Sequence, residues 1–556
     1  MAKSRAIQMT GGMAIVEALL ANAVDTVFGL PGAQMYPLFD ALQQRSDRVR
    51  TFGARHEQAC GYMAFGYARS TGRPGVFAVV PGPGVLNATA ALCTAMGCNA
   101  PVLCLTGQVP APFLGRGRGH LHELSDQLGT LRSLVKWAER IERPEDAPEI
   151  INEAFRRMLS GRPGPVAVEM CWDVMASTGD VVGLPKAVIP PPAPASAKDI
   201  ETAARLVAAS RRPMIMTGSG AQHAADEVRA LAEFLEAPVA AFRGGRGVMP
   251  EDHELGISSY AAYRLWPETD SLIGIGTRLE LPYMRWTGMT SLIDRPAAPP
   301  YLVRIDIDPA EMDRLVPHAP IVADAAAGAR ALHIAIESLQ ATVPATRTGA
   351  REAIRNAKAE ARRTIEKVQP QLAYLDVIRD VLPRDAIVSI ELSQVGFTSY
   401  FGYPVLAPRT YISEGFQGTL GFGFPTALGV KAAHPEVPVV CITGDGGFQF
   451  ALQELATAAQ EQLALVTLVF NNAAYGNVLR DQKVGFGNRI IGALLNNPDF
   501  MILAQAYGIE AHRVASPEAL RPILARAIAG SSPVLIEIDV PQGSETTPWE
   551  FIHPKR

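Results

Sequence analysis

The sequence predicts an α/β protein made of three doubly wound parallel-sheet units. Two patterns carry that expectation. Short apolar runs alternate with helical periodicities along the chain, the signature of βαβ crossovers and a parallel sheet. A proline-rich stretch and a charged helical stretch then divide these runs into three groups. At 556 residues the chain is too long for one core, which agrees with several domains.

The first unit covers residues 1–183. Residues 14–23 read as a helix, and 26–32 as a strand running into a tight turn. Arg55-His56-Glu57-Gln58 precedes an apolar helix over 59–69. Residues 77–80 form the next strand, Pro81-Gly82-Pro83-Gly84 turns into a helix over 85–96, and 102–106 is a strand again. Pro190, Pro191, Pro192 and Pro194 mark a stiff linker. The second unit, 198–338, has strands at 213–216, 271–275 and 302–307. A charged helical connector, about 351–369, leads into the third unit, 365–556. There an apolar run at 439–442 meets the turn Gly444-Asp445-Gly446-Gly447. A helical face follows through Leu452, Leu455, Ala456 and Ala459, and a second apolar run, 465–470, ends in Asn471-Asn472. The similar size of the three units is the only hint of duplication.

Composition excludes several function classes. Apolar content of 48% with 19% charged residues describes a soluble globular protein. A net charge of −4 gives no basic footprint for nucleic acid. Residues 76–115 carry no charge, but Pro81, Gly82, Pro83, Gly84, Asn87 and Pro101 interrupt them too often for a membrane span. Lys3 and Arg5 open the chain, yet Glu17 and Asn22 fall where a signal peptide would keep an unbroken apolar core. Cys60, Cys93, Cys98, Cys104, Cys171 and Cys441 are scattered without a CxxC pair, so buried free thiols in a reducing, cytoplasmic setting are expected.

The chemistry concentrates between residues 443 and 475. Parallel strands place the Gly turn and the Asn pair at one carboxyl edge, where open α/β sheets bind ligands. Asp445 offers a carboxylate and Asn472 an amide oxygen, hard donors that suit Mg²⁺ together with substrate phosphates. Gly446 and Gly447 let backbone N–H groups approach a phosphate. Alone, Gly-Asp-Gly is an ordinary strand-to-helix turn; the Asn pair after the following strand makes the pattern specific.

Gly444-Asp445-Gly446 followed by Asn471-Asn472 resembles the diphosphate-and-metal motif of thiamine diphosphate-dependent enzymes, in their acetohydroxyacid (acetolactate) synthase and pyruvate oxidase-like branch. The stretch from Arg55 through Leu92 resembles that family's pyrimidine-binding domain, and the likeness runs nearly the full chain: pyrimidine domain, middle domain, diphosphate domain. The resemblance implies thiamine diphosphate and Mg²⁺ as cofactors. It assigns Glu57 to the pyrimidine nitrogen, where it favours the imino tautomer that deprotonates the thiazolium carbon. It assigns Leu420 to the wedge beneath the bent coenzyme, Gly418 to a carbonyl contact with the pyrimidine amine, and places Thr419 between them. Ser393, Gln394, Gly446, Gly447, Tyr475 and Gly476 fall around the diphosphate. Asp445, Asn472 and the Ala474 carbonyl fall on the metal. In this family the glutamate faces the diphosphate domain of another subunit, so a homodimer or homotetramer is implied.

Without the resemblance, Glu57 is a helix-start carboxylate and Leu420 a core leucine. The substrate pocket is less marked. Ala33 and Gln34 lie where the family surrounds the reacting carbonyl, and Ala33 offers no polar group. His122 and Glu123 stand where the synthases carry Phe-Gln-Glu, and read equally as catalytic groups or as helix caps. Val478 precedes Asp481, which replaces a tryptophan of the synthases' acceptor pocket. Arg278 and the strand around Asp306 match positions near a flavin, but relatives with an empty middle domain share them, so FAD stays open. The implied activity is decarboxylation of a 2-oxo acid followed by ligation to an acceptor. The alternative is simple decarboxylation, or lysis of a 2-hydroxy ketone or diketone.

Overall fold

The computed structural model describes residues 6–286, 295, 297–339, 347 and 349–554; Lys3, Arg5 and the outer ends of the first and third predicted units lie outside them. The strands are β1 (Ala6–Thr10), β2 (Thr26–Gly29), β3 (Arg50–Gly53), β4 (Gly75–Val79), β5 (Val102–Gln108), β6 (Trp137–Ile141), β7 (Val166–Cys171) and β8 (Thr178–Val182). They continue as β9 (Pro213–Thr217), β10 (Val239–Ala241), β11 (Gly256–Ile257), β12 (Ser271–Ile275), β13 (Tyr301–Asp306) and β14 (Ala319–Val322). The last group is β15 (Ile387–Ile390), β16 (Tyr411–Ser413), β17 (Val439–Gly444), β18 (Leu465–Asn471), β19 (Glu510–Val514) and β20 (Val534–Asp539).

Three six-stranded parallel sheets result, with orders β3-β2-β4-β5-β7-β6, β11-β10-β9-β12-β13-β14 and β16-β15-β17-β18-β20-β19. β1 and β8 form a separate antiparallel ribbon, Ala6 opposite Val182. The outer sheets share one order: second strand, first, third, fourth, sixth, fifth. The middle sheet runs third, second, first, fourth, fifth, sixth, the dinucleotide-fold order. The shared strand order is thus confined to the first and third sheets. Their central strands are buried on both faces, which explains why β5 and β17 read as unbroken apolar runs.

The first and third sheets share a core. The helix Glu57–Thr71 is buried from Ala59 through Ala68 because β4 lies on one side and the helix Gly423–Ala433 on the other. Gly66 and Gly429 permit that crossing: a Cβ at Gly66 would stand 2.2 Å from the Thr426 carbonyl oxygen, and one at Gly429 2.0 Å from that of Met63. The His56 ring caps the helix, its Nδ1 accepting from the Gln58 N–H at 3.2 Å, a contact type whose removal costs about 1 kcal/mol. Gly72, at φ +72°, ends it with its N–H on the Ala68 carbonyl.

One helical expectation changes. The periodic face through Leu452 and Ala459 is not continuous with the Gly turn. A single turn, Asp445–Phe448, is followed by a 3₁₀ turn, Leu452–Glu454, and only then by the helix Leu455–Gln460. The buried Glu454 carboxylate accepts from the Arg55 N–H at 3.0 Å and from Thr457 Oγ1 at 2.7 Å, and this long-range tie overrides local helical continuity. All six cysteines are free; four are buried, while Cys93 and Cys98 are half-buried rather than fully enclosed. Among the described residues no helix is long and apolar enough to cross a membrane.

Candidate functional site

Strand order in the third sheet reverses between β15 and β17, so the loops leaving these strands splay apart and open a crevice at the carboxyl edge. A cavity of about 260 Å³ occupies it. Ser393, Gln394, Gly418, Leu420, Asp445, Gly446, Gly447, Asn472, Ala474, Tyr475, Gly476 and Val478 all line it. Thr419 does not: its hydroxyl turns away to Thr94 Oγ1 at 2.9 Å. Asp481 also lies outside the lining, on the helix Gly476–Gly485, paired to the neighbouring Arg480 at 3.0 Å.

Asp445 is 2% exposed, and burial pushes its pKa up, with the Asn497 amide opposing the shift. Asn497 Nδ2 donates to Asp445 Oδ2 at 2.6 Å and to Asn471 Oδ1 at 2.7 Å, while Gln449 Nε2 fixes Asn497 Oδ1 at 2.8 Å. Asn472 Nδ2 donates to Glu545 Oε2 at 2.6 Å. Burial pushes the Glu545 carboxyl up to about 6, with the Asp445 charge adding to it. Glu391 is 1% exposed and takes the N–H groups of Gly421 and, at 3.2 Å, Gly423, with Thr443 Oγ1 at 2.8 Å. Burial raises its pKa to about 7. Glu391 thereby straps the segment carrying Gly418 and Leu420 to the sheet edge.

These residues fit a divalent cation held with a diphosphate. The Asp445 carboxylate, Asn472 Oδ1 and the Ala474 carbonyl are oxygen donors; Asn472 Nδ2 is committed to Glu545, and its Oδ1 accepts one hydrogen bond, from the Ala474 N–H at 3.1 Å, and keeps a second lone pair. Among the described residues no Lys or Arg lines the cavity, so a bound diphosphate would depend on a metal for its countercharge.

The first sheet reverses between β2 and β4, the place where such sheets form a second crevice at the carboxyl edge. Ala33 and Gln34 follow β2, and Pro81–Gly84 follows β4. Gln34 is 4% exposed; its Nε2 donates to the Leu121 carbonyl at 2.8 Å and its Oε1 meets His122 Nδ1 at 2.7 Å. Both residues have φ of +66°, a conformation that costs a non-glycine residue about 1–3 kcal/mol and clusters at functional sites. Glu57, half-buried, accepts from Asn87 Nδ2 at 3.0 Å. Glu123 takes the N–H groups of Gly117 at 3.1 Å and His120 at 3.0 Å, and these bonds lower its pKa. Glu123 is therefore spent on folding its own loop.

Within one chain the two crevices stay apart: neither Glu57, Gln34 nor His122 lines the Asp445 cavity. Exposed apolar side chains surround both, Tyr36, Leu86 and Leu121 on the first, Phe450, Val478 and Leu494 on the third.

The middle sheet reverses between β9 and β12. A cavity of about 410 Å³ there is lined by Gly218–Gly220, Gly276–Arg278 and Asp306, closed by Arg69 and Cys98 from the first unit and Arg409 and Phe416 from the third. Arg278 lies over the Phe416 ring at 4.3 Å. Arg243 is half-buried; its Nε and Nη1 have no hydrogen-bond partner among the described residues, but Nη1 is ion-paired with Glu280 at 3.7 Å and the guanidinium lies over the Phe242 ring at 4.9 Å.

Sequence reasoning missed Asn497, Glu545 and Glu391. Each reaches the site through a long-range fold contact, and no local spacing signals it.

Three family models describing thiamine pyrophosphate enzymes match the chain: the N-terminal TPP binding domain over residues 9–130, the central domain over 200–332 and the C-terminal TPP binding domain over 393–538. The chain is 34% identical over 552 residues to a probable acetolactate synthase large subunit of Methanocaldococcus jannaschii, covering 95% of this chain and 92% of that protein. It is 33% identical over 545 residues to the probable 2-ketoarginine decarboxylase AruI of Pseudomonas aeruginosa, covering 95% and 94%. It is 31% identical over 569 residues to the acetolactate synthase isozyme 2 large subunit of Escherichia coli, covering 98% of each. With three parallel-sheet units in that order, the chain belongs to the thiamine pyrophosphate-dependent enzymes, with acetolactate synthase large subunits among its relatives.

Proposed function

We propose that this enzyme binds thiamine diphosphate with Mg²⁺ and decarboxylates a 2-oxo acid, then joins the remaining fragment to an acceptor carbonyl, as acetolactate synthases do. The observation that carries the reading is the Asp445 cavity: oxygen donors, two glycines and Leu420 converge there, with no basic side chain. The coenzyme, when bound, supplies a nucleophilic carbon and an electron sink. Asp445, Asn472 and the Ala474 carbonyl hold the metal. Ser393, Gln394, Gly446, Gly447, Tyr475 and Gly476 cradle the diphosphate. Leu420 supports the bend, Gly418 offers its carbonyl to the pyrimidine amine, and Glu57 holds the proton at the pyrimidine nitrogen. The three units serve as pyrimidine-binding, middle and diphosphate-binding domains.

The separation of the two crevices supports a site shared between copies of the chain, in a homodimer or homotetramer. Their exposed apolar surroundings fit mutual burial. The unpaired cysteines support a reducing, cytoplasmic setting. The middle cavity, with its dinucleotide-fold order and an Arg243 guanidinium whose Nε and Nη1 make no hydrogen bond, supports a phosphate-bearing nucleotide such as FAD. Flavin absorbance in the purified protein, or calorimetric uptake of added FAD, tests that assignment.

A second reading, decarboxylation without ligation, draws on Asp481 in place of the synthases' acceptor-pocket tryptophan. Calorimetry of coenzyme with Mg²⁺, then carbon dioxide release and product analysis across a panel of 2-oxo acids with and without aldehydes, decides between them. Loss of Mg²⁺-dependent coenzyme binding in Asp445→Ala supports the site; unchanged affinity refutes it.

A further inference from the structure

Gln34 and His122 form a rigid pair that the coenzyme site does not use. Gln34 Nε2 is held by the Leu121 carbonyl, so its Oε1 is the atom that faces the His122 ring. An amide oxygen only accepts, so it selects the imidazole tautomer with hydrogen on Nδ1. The lone pair then sits on Nε2, which has no hydrogen-bond partner among the described residues. The backbone fixes both members. Gly107 lies under Gln34, where a Cβ would come 2.4 Å from the Gln34 carbonyl oxygen. Gly82 lies under His122, where a Cβ would come 2.5 Å from its carbonyl oxygen. Two residues on, Gly84 lies against Glu57, with 3.6 Å from an added Cβ to Glu57 Cγ. One turn, Pro81–Gly84, thus has His122 on one side and Glu57 on the other.

We propose that His122 is an acid–base residue of the reaction, with Gln34 as the positioning residue that sets its tautomer. This rests on the thiamine diphosphate reading above. The step is a proton transfer: Nε2 takes the hydroxyl proton of the substrate-derived fragment as its carbonyl re-forms and the bond to the coenzyme breaks. The imidazolium returns that proton to the carbonyl oxygen of the next molecule. Protonation of the incoming carbonyl precedes carbon dioxide release, so kcat/KM for that release needs the imidazolium and falls where the ring is neutral.

The charged and titratable groups around the pair are few. Glu57 lies across the Pro81–Gly84 turn. Glu123 and His120 lie on the same loop, with Arg116 and Arg118 exposed beyond them. Behind Gln127, whose Oε1 receives the Gly82 N–H at 2.8 Å, Glu169 is fully buried and paired with Arg140 at 2.6 Å.

The test is the pH dependence of kcat/KM for carbon dioxide release, from whichever acid of the 2-oxo acid panel is turned over fastest, by the holoenzyme with thiamine diphosphate and Mg²⁺. His122→Asn lowers kcat/KM by about 10²–10⁴-fold and removes the alkaline limb, while calorimetric coenzyme affinity stays unchanged. Gln34→Glu keeps the hydrogen bond but puts a carboxylate beside the ring, and so moves the alkaline limb to higher pH. Nitrogen chemical shifts of the labelled ring, assigned through His122→Asn, report hydrogen on Nδ1 in the parent. An alkaline limb that stays in place in both variants, or a neutral ring with hydrogen on Nε2, overturns the proposal. If the parent binds the coenzyme but releases carbon dioxide from no acid of the panel, the functional reading fails instead.

Discussion

Glu545 Oε2 accepts from Asn472 Nδ2 at 2.6 Å, and this bond helps fix which atom of the Asn472 amide faces the proposed metal position. The Ala474 N–H donates to Oδ1 at 3.1 Å, which leaves that oxygen a second lone pair. Outer groups of this kind orient metal ligands, and their loss costs about 10–100-fold in metal affinity.

Glu545→Ala is therefore expected to weaken Mg²⁺ by about 10–100-fold, because the amide is freed to present its nitrogen. Calorimetric Mg²⁺ titration in the presence of coenzyme measures this. Parental affinity in the variant would make Glu545 a bystander.

Glu391 gives a stability prediction with a definite sign. Its folded pKa, about 7, lies above the ordinary carboxylate value, so the folded protein holds this proton more tightly than the unfolded chain. The contribution is largest below the unfolded pKa and is lost as pH rises through the folded one. Between pH 4.5 and 7 this carboxyl should make stability fall with rising pH. Glu391→Gln should flatten that slope, read as denaturation midpoints against pH. An identical slope in the variant would contradict the assignment.

Subunit sharing predicts complementation. A Glu57→Gln chain and an Asp445→Ala chain are each expected to be nearly inactive. Mixed under exchange they form heterodimers with one intact site of two, giving about a quarter of parental activity after random pairing. No recovery, with heterodimers demonstrated by mass, would place Glu57 and Asp445 in the same chain's site.

How much of this was legible in the sequence follows from where each contact comes from. Asp445 and Asn472 were legible because each directly follows a strand, and parallel strands put those ends together. The three-sheet architecture was legible because central parallel strands are apolar throughout. Thr419 misled, since sitting beside Leu420 says nothing about which way its hydroxyl turns; Thr94 decides that. The helix after the Gly turn misled because Glu454 is drawn out of register by Arg55, far away in the chain. Glu545 was silent, because a carboxylate in a C-terminal loop has no local pattern. Glu123 and His122 looked alike in sequence, and only their hydrogen bonds separate a loop brace from an acid–base candidate.

The central claim is that Glu57 activates a coenzyme held at the Asp445 cavity. The direct measurement is hydrogen–deuterium exchange at the thiazolium carbon of bound thiamine diphosphate in the parent and in Glu57→Gln. Glu57→Gln keeps the side chain's size and leaves the metal and diphosphate contacts intact, so affinity should change little. Exchange should slow by about 10²–10⁴-fold, the usual worth of a positioned acid–base group. Exchange as fast in Glu57→Gln as in the parent would contradict the account.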